Sequence, residues 1–411
     1  MIKKISSYIG LIILTINIVN GNILSVYSYI KQRINIITIK QEKSNICFPL
    51  QKIIKEYIYN FDNNISVSIL NKYGEYIVDI NGEIARIPAS NQKILSSAFS
   101  LDNLGAYYTL NTTLNEINGG GMYINASGDP DFDKSHLHEL ISSLKNIKYN
   151  SNKKIPIVIR GSNPKKWWPS TWSYFDKQEE YGAPITKYSI ASNSNVYALK
   201  DPIENFVINL QNTLNSQKLS NKYFIKRVNE NYHIDYSTTI KTIKSAPLYI
   251  LLSLVNSESH NFTSEVIFRH ALNDWSNNFP NIKYSNWLKA QNFSSNNFFL
   301  ADASGLSRKN RVTTLGLSQF LRRMKFHRFS DYYFSSFSIL GVRGSLTNVS
   351  APVNLQGRIL AKSGTLNNVR SISGIILDKD IIFSIIINDM DNSLRHIIKI
   401  LSYVDNTDYC N

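Results

Sequence analysis

The 411-residue chain holds two cysteines, Cys47 and Cys410. So few exclude zinc-ribbon, haem-attachment and Cys-x-x-Cys redox spacings. Long Lys/Arg runs are also absent, so the net charge of +15 is dispersed and makes no basic arm of the kind that grips nucleic acid. Lys, Asn, Ile and Tyr are abundant together, as an AT-rich coding bias produces. The surplus charge carries a mild attraction to anionic envelope polymers and nothing more specific. No apolar run is long enough to span a bilayer. Residues 8–19, behind Lys3 and Lys4, have the length of the apolar segment of an export signal. Cleavage after Gly21 is expected, giving a signal peptide over residues 1–21. Because residues 23–30 are also fairly apolar, an uncleaved anchor with peripheral membrane association is the alternative. In either case the body is exported to the periplasm or cell envelope, where a Cys47–Cys410 disulfide would tie the first element to the last.

What is present begins with periodicity. Residues 46–61 read as a helix, and residues 65–70 and 76–80 alternate as strands joined by the turn Asn71-Lys72-Tyr73-Gly74. A helix starts near Ser90, with Ile94, Leu95, Ala98, Leu101 and Leu104 at helical spacing. At the other end, residues 358–362, 371–377 and 381–387 read as strands and residues 394–404 as a helix. Strands and helices at both ends predict one α/β domain, residues 22–108 and 240–411, whose sheet is completed by both termini. Between them, residues 109–239 differ in texture, with Gly119-Gly120-Gly121, short β-rich runs such as 155–159 and a Trp-rich loop. This stretch is predicted to be a β-rich insertion. Trp167, Trp168 and Trp172 are expected to pack within that loop. Helices over 248–255 and 265–272 flank a short connection, and the Asn-rich stretch 273–297 reads as loop.

Three motifs fall in order on this framework: Ser90-Asn91-Gln92-Lys93, Ser259-His260-Asn261 and Lys362-Ser363-Gly364-Thr365. Ser-x-x-Lys recurs by chance at Ser142 and Ser151, and Ser-x-Asn at Ser276. Lys-Ser-Gly occurs once, within a strand-like stretch, and gives the ordered set its specificity. A serine hydroxyl needs a base, and Lys93, one turn on, can serve if burial and a neighbouring cation such as Lys362 lower its pKa. Amides near Ser90 and at Thr365 are candidate oxyanion donors. Ser259 can relay a proton to the leaving amine while Asn261 orients the substrate amide. Lys362, Ser363 and Thr365 offer a cation and two hydroxyls to a carboxylate. His260 has no acid partner and is expected to be a surface or satisfied histidine.

With Pro88-Ala89 before Ser90, Leu101-Asp102-Asn103-Leu104-Gly105, Gly128-Asp129-Pro130, Tyr181-Gly182-Ala183-Pro184, Ser245-Ala246-Pro247-Leu248, residues 302–308 and residues 341–346, the chain resembles the low-molecular-mass class C penicillin-binding proteins. These are the D-alanyl-D-alanine carboxypeptidase/endopeptidases of peptidase family S13. The resemblance spans residues 65–387. It implies a penicillin-binding transpeptidase or serine β-lactamase-like fold, an antiparallel sheet flanked by helices plus a helical subdomain, with extra domain material between the first two motifs. That interval is 169 residues, short for two full insertions, so one complete domain and a reduced or missing second are expected. At Trp172-Ser173-Tyr174-Phe175-Asp176 the resemblance implies that Asp176 meets the amino group of the stem-peptide side chain. Tyr174 stands where the family has a second tryptophan. His260, Ser363 and Arg343 also depart from the family pattern, and Arg343 stands where an acidic residue is usual.

The implied activity is that of a serine D-Ala-D-Ala carboxypeptidase or DD-endopeptidase acting on peptidoglycan peptides and β-lactams, through an acyl-enzyme at Ser90 and without metal or nucleotide cofactor. Two alternatives stand beside it. A β-lactamase-like hydrolase would use the same motifs, although no Glu-x-x-Leu-Asn segment is present. A non-catalytic peptidoglycan-binding protein would have no need to keep Lys93 and Asn261.

Overall fold

The computed structural model describes residues 45–147, 153–277, 279, 281–293, 296–391 and 393–407. The expected signal or anchor and Cys410 lie outside them. Cys47, immediately before the helix Phe48–Ile58, is disulfide-bonded, and Cys410 is the one other cysteine of the chain.

Strands β1 (Ile65–Leu70) and β2 (Tyr76–Ile80) belong to a six-stranded antiparallel sheet. A second, five-stranded sheet takes β3 (Asn111–Ile117), β4 (Met122–Asn125), β5 (Ile155–Arg160), β6 (Tyr223–Val228) and β7 (Tyr236–Lys244), in the order β6-β5-β4-β3-β7. Two short strands, β8 (Phe298–Phe299) and β9 (Arg311–Val312), pair with each other. The chain then returns to the first sheet with β10 (Ser338–Ile339), β11 (Ile359–Leu366), β12 (Val369–Ile376) and β13 (Ile381–Asn388), completing the order β10-β11-β12-β13-β1-β2. Residues from both ends of the chain therefore build one sheet. The second sheet occupies the interval between the first two motifs, and β7 runs past residue 239 to pair with β3.

Strand β13 is buried at every position because both faces of the sheet are covered. Ile381, Phe383, Ile385 and Ile387 pack with Leu50 and Ile54 of the helix Phe48–Ile58 and Leu401 and Val404 of the helix Leu394–Asp405. Ile382 and Ile386 point the other way, into a core shared with Leu95, Phe99, Leu251, Phe268 and Phe320. This alternation is the period-2 geometry of a strand. At its midpoint Ser384 bonds Ser373 across the pair, Oγ to Oγ at 2.8 Å. The helix Gln92–Leu104 crosses the second core with Gln92 through Leu101 all buried, not only the apolar stripe. Two of its serines are satisfied in different ways: Ser96 donates to the distant Ala303 carbonyl at 2.6 Å and Ser100 to the Ser96 carbonyl one turn back at 2.8 Å.

Two expectations need correcting. The helix predicted from residue 265 begins at Asn261, so Asn261 is its first residue and, of the motif, Ser259 and His260 lie in the connection over residues 257–260. Asn and Thr compete with the helix backbone through their side chains, which hid the first turn. The Asn-rich stretch is not all loop either. It contains the helix Ile282–Ala290, with Tyr284 and Leu288 buried one turn apart. Asn281, read as a loop residue, caps it by accepting from the amides of Lys283 and Tyr284 at 2.9 and 3.4 Å.

Candidate active site

Ser90 lies in a single 3₁₀ turn, Ala89–Asn91, that leads into the helix Gln92–Leu104. Ala89 is held at φ +48°, a left-handed conformation rare for alanine. Three contacts fix the turn. Ser371 of β12 donates to the Pro88 carbonyl at 2.6 Å, Asn91 donates to Ser373 at 2.8 Å, and Gly305 packs so closely that a Cβ there would stand 1.9 Å from the Ala89 carbonyl oxygen. The sheet and the 302–308 segment thus clamp the serine from two sides.

Lys93 is fully buried. Its Nζ lies 3.0 Å from Ser90 Oγ, 2.6 Å from Asn261 Oδ1 and 2.6 Å from the Ser304 carbonyl. Burial lowers its pKa to about 7, while the carboxylates of Asp302 and Glu265 pull in the opposite direction. The sequence reading expected a neighbouring cation to help lower it. In the structure desolvation dominates, and Lys93 instead weighs on Lys362, whose pKa falls well below the ordinary value, chiefly through burial and next through the charge of Lys93. Lys362, also fully buried, reaches Ser259 Oγ at 3.0 Å and the Ser363 carbonyl at 2.8 Å.

Ser259 is the second strained residue of the site, with φ +62°. His260 is half-buried rather than a surface residue. Its Nδ1 pairs with Thr263 Oγ1 at 2.7 Å, and burial followed by the charge of Lys93 pushes its pKa down to about 4. It is neutral over the working pH range. Asn261 donates its amide to the Tyr181 carbonyl at 2.9 Å while accepting from Lys93, which fixes which end of the amide faces the lysine.

Two of the six strands, β11 and β12, line the cleft. Gly364 sits flush against the serine turn, where a Cβ would meet Ser371 Oγ at 2.2 Å and the Pro88 carbonyl oxygen at 2.7 Å. Strand β10 pairs only with Leu360 and Ala361 of β11. Lys362 to Leu366 therefore have β12 on one side and no strand on the other among the described residues. A cleft of about 210 Å³ runs there, lined by Ser90, Ser259, Ser345, Ser363, Gly364 and Thr365. All three motifs meet in it.

Asp176 is not among the residues lining this cleft; its carboxylate accepts from Ser173 Oγ at 2.6 Å and from the Tyr181 hydroxyl at 3.3 Å. Tyr181 thus links Asp176 to Asn261. The tryptophans pack with their indole N–H groups satisfied, Trp172 on Asp302 Oδ2 at 2.7 Å and Trp168 on the Gly182 carbonyl at 2.8 Å.

Several site residues escaped the motif reading. Glu265, buried on the same helix as Asn261, accepts from the amides of Ala303 and Ser304 at 2.9 Å each and so presents the Ser304 carbonyl to Lys93. Burial, with Asp302 next, raises its pKa to about 7. Asp302 accepts from Gly305 N at 2.7 Å, Ser307 N at 2.6 Å and Asn310 Nδ2 at 2.7 Å. Residues 302–308 were visible only as a family landmark. Arg370, facing Thr365 across β11 and β12, brings a cation to the cleft. Arg343 does not disturb its loop, since its guanidinium donates to the Ser335 and Phe337 carbonyls at 2.6 and 2.5 Å.

The D-Ala-D-Ala carboxypeptidase 3 (S13) family model matches residues 50–199 and 189–403. The chain belongs to this family. It is accordingly a serine-type DD-peptidase of the cell envelope with a penicillin-binding fold. Among solved structures it is similar to penicillin binding protein 4 of Haemophilus influenzae, with 18% identity, 86% of this chain and 98% of that chain covered and a TM-score of 0.71. It is also similar to a predatory peptidoglycan endopeptidase of Bdellovibrio bacteriovorus, with 17% identity, 82% and 91% covered and a TM-score of 0.56. No curated protein matches the sequence.

Proposed function

We propose that this DD-peptidase works in the exported compartment on peptidoglycan stem peptides, with Ser90 as nucleophile and Lys93 as its base. One observation carries the reading: a fully buried lysine 3.0 Å from the serine hydroxyl with two other acceptors in reach. A charged ammonium has three N–H donors and no lone pair, whereas the neutral amine has two donors and one lone pair. The Asn261 and Ser304 oxygens are acceptors only and take the two N–H groups. The remaining lone pair faces Ser90 Oγ and can remove its proton.

In the proposed cycle the peptide lies along the unpaired edge of β11, adding a strand to the sheet. Its terminal carboxylate meets the Ser363 and Thr365 hydroxyls, with Lys362 and Arg370 supplying positive charge. Ser90 Oγ attacks the carbonyl before the last D-residue, and its proton passes to Lys93. The amides of Ser90 and Thr365 hold the oxyanion. As the C–N bond breaks, a proton relayed from Lys93 through Ser259 and Lys362 is delivered to the departing amine, leaving an ester on Ser90. Water then attacks the ester carbonyl while Lys93 takes its proton; as the bond from the acyl carbon to Ser90 Oγ breaks, Lys93 returns that proton to the serine and the peptide leaves with a new carboxylate. Asn261 holds both Lys93 and the substrate amide, and Asp176 takes the side-chain amino group of the stem peptide. β-Lactams would acylate the same serine and leave slowly.

Labelling with a fluorescent penicillin tests the assignment. Wild type labels and Ser90→Ala does not; absence of label on the wild type, or label persisting on Ser90→Ala, defeats it. Product masses from defined muropeptides then separate release of D-alanine from cleavage of a cross-bridge.

A further inference from the structure

A second cavity, of about 320 Å³, opens between the five-stranded sheet and the helix Asn261–Leu272. It lies toward the opposite end of that helix from Asn261, since Arg269 is eight residues, or about 12 Å of helix rise, further on. Its volume is in the range of small-ligand pockets. Four cations line it, Arg160, Lys166, Lys187 and Arg269, against two carboxylates, Glu230 and Asp274. Lys166 and Glu230 pair with each other at 2.9 Å. Arg160 and Lys187 share the cavity with Arg269, whose chief opposing charges are Glu265 one turn back on its own helix and then Asp274, so the lining keeps an excess of positive charge.

Arg269 decides what could fill that space. It is 1% exposed. Its Nη1 donates to the Ile185 carbonyl at 3.1 Å, yet Nε and Nη2 have no hydrogen-bond partner among the described residues. Those two atoms form one edge of the guanidinium, the fork that receives a carboxylate through two parallel bonds. A buried donor pair without a partner is costly. Arg160 Nε is likewise buried and unpartnered. Trp275 supplies an aromatic wall, with Lys187 Nζ and Arg269 Cζ at 5.2 and 5.6 Å from its ring. The pKa of Lys187 is lowered by burial and then by Arg160, a repulsion that a bound anion would relieve.

We infer that this cavity binds a carboxylate-bearing ligand of monosaccharide or dipeptide size, received by the free edge of Arg269 and by Lys187 and Arg160. The carboxylate could belong to a sugar acid or to a peptide terminus, both within reach of a wall-acting enzyme. Only this choice of probes rests on the proposed peptidoglycan substrate; the cation cluster does not.

Calorimetric titration with N-acetylmuramic acid and with D-alanyl-D-alanine, each against its uncharged counterpart (N-acetylglucosamine and the dipeptide amide), tests it. One carboxylate probe should bind at least about tenfold more tightly than its counterpart, and the winning probe names the source. Lys187→Gln and Arg160→Gln should each weaken that binding at least about fivefold while leaving penicillin labelling unchanged. Arg269→Lys, which keeps the charge and loses the fork, should weaken it further where it folds. The inference falls if neither carboxylate binds, if the uncharged counterparts bind equally, or if Lys187→Gln and Arg160→Gln bind like wild type. Because labelling reports on Ser90 and the variant titrations on the cavity, each reading can fail without the other.

Discussion

The base assignment makes a quantitative claim about pH. An ordinary lysine with a pKa of 10.5 would be neutral in about one molecule in 3,000 at pH 7. With the pKa of Lys93 near 7, about half of the molecules carry the neutral amine at that pH. Burial therefore raises the population of competent base by roughly 10³, inside the range of about 10²–10⁴ that positioned general bases contribute. The rate of Ser90 acylation should rise about tenfold per pH unit below the midpoint, reach about 1% of its plateau at pH 5, and level off above about pH 8. Stopped-flow labelling with a fluorescent penicillin between pH 5 and 9 measures this directly. His260, with a pKa near 4, stays largely neutral over this range, whereas Glu265, with a pKa near 7, titrates in the same window as Lys93. Glu265→Gln provides the control for cause. The carboxylate raises the pKa of Lys93, so removing its charge should move the midpoint down, while the amide oxygen still accepts from Ala303 and Ser304. A flat profile, a midpoint near that of an ordinary lysine, or an upward shift in Glu265→Gln would refute the reasoning.

Asn261→Ala removes one acceptor of Lys93 and the tie to Tyr181 together, at about 1–3 kcal/mol per unmet buried group, so acylation should slow by roughly 10- to 100-fold with little loss of fold; near wild-type labelling kinetics would count against its role. Gly364→Ala places a methyl within 2.2 Å of Ser371 Oγ and 2.7 Å of the Pro88 carbonyl oxygen, displacing the serine turn, and should abolish labelling while circular dichroism stays native; an active variant would mean that the turn is not held by this contact. Asp302→Ala leaves the amides of Gly305 and Ser307 and the Trp172 indole without their acceptor, a loss of about 3 kcal/mol or more that should lower Tm by about 3–5 °C in a thermal melt; an unchanged Tm would show those groups re-paired.

Much of this was legible from the residues. The two strands after the first helix and the closing strands and helix have clean periodicities, because each face of the six-stranded sheet meets a separate apolar layer. The three motifs were legible because their chemistry depends on side chains at fixed local spacing. What stayed hidden depends on long-range contact. Glu265 lies in a helix where every residue from Asn261 to Arg269 is buried, so no polar stripe marks it, and its function comes from the amides of residues 303 and 304. The start of that helix was hidden because its first residues are better known for breaking helices.

The same contrast explains why Lys93 could be named from sequence but not understood from it. The sequence places an amine one turn from a hydroxyl, a pattern that recurs elsewhere in this chain without consequence. What would turn the pattern into the proposed base is the company it keeps: two carbonyl-type acceptors that claim two N–H bonds, and burial deep enough to make the third proton dispensable. One acceptor comes from Asn261, held by Tyr181 of the segment between the first two motifs; the other comes from the 302–308 turn, held by Glu265 and Asp302. Both arrive from parts of the chain more than 150 residues away. A change to either support should therefore alter the pH at which Ser90 becomes a nucleophile without touching Ser90 or Lys93.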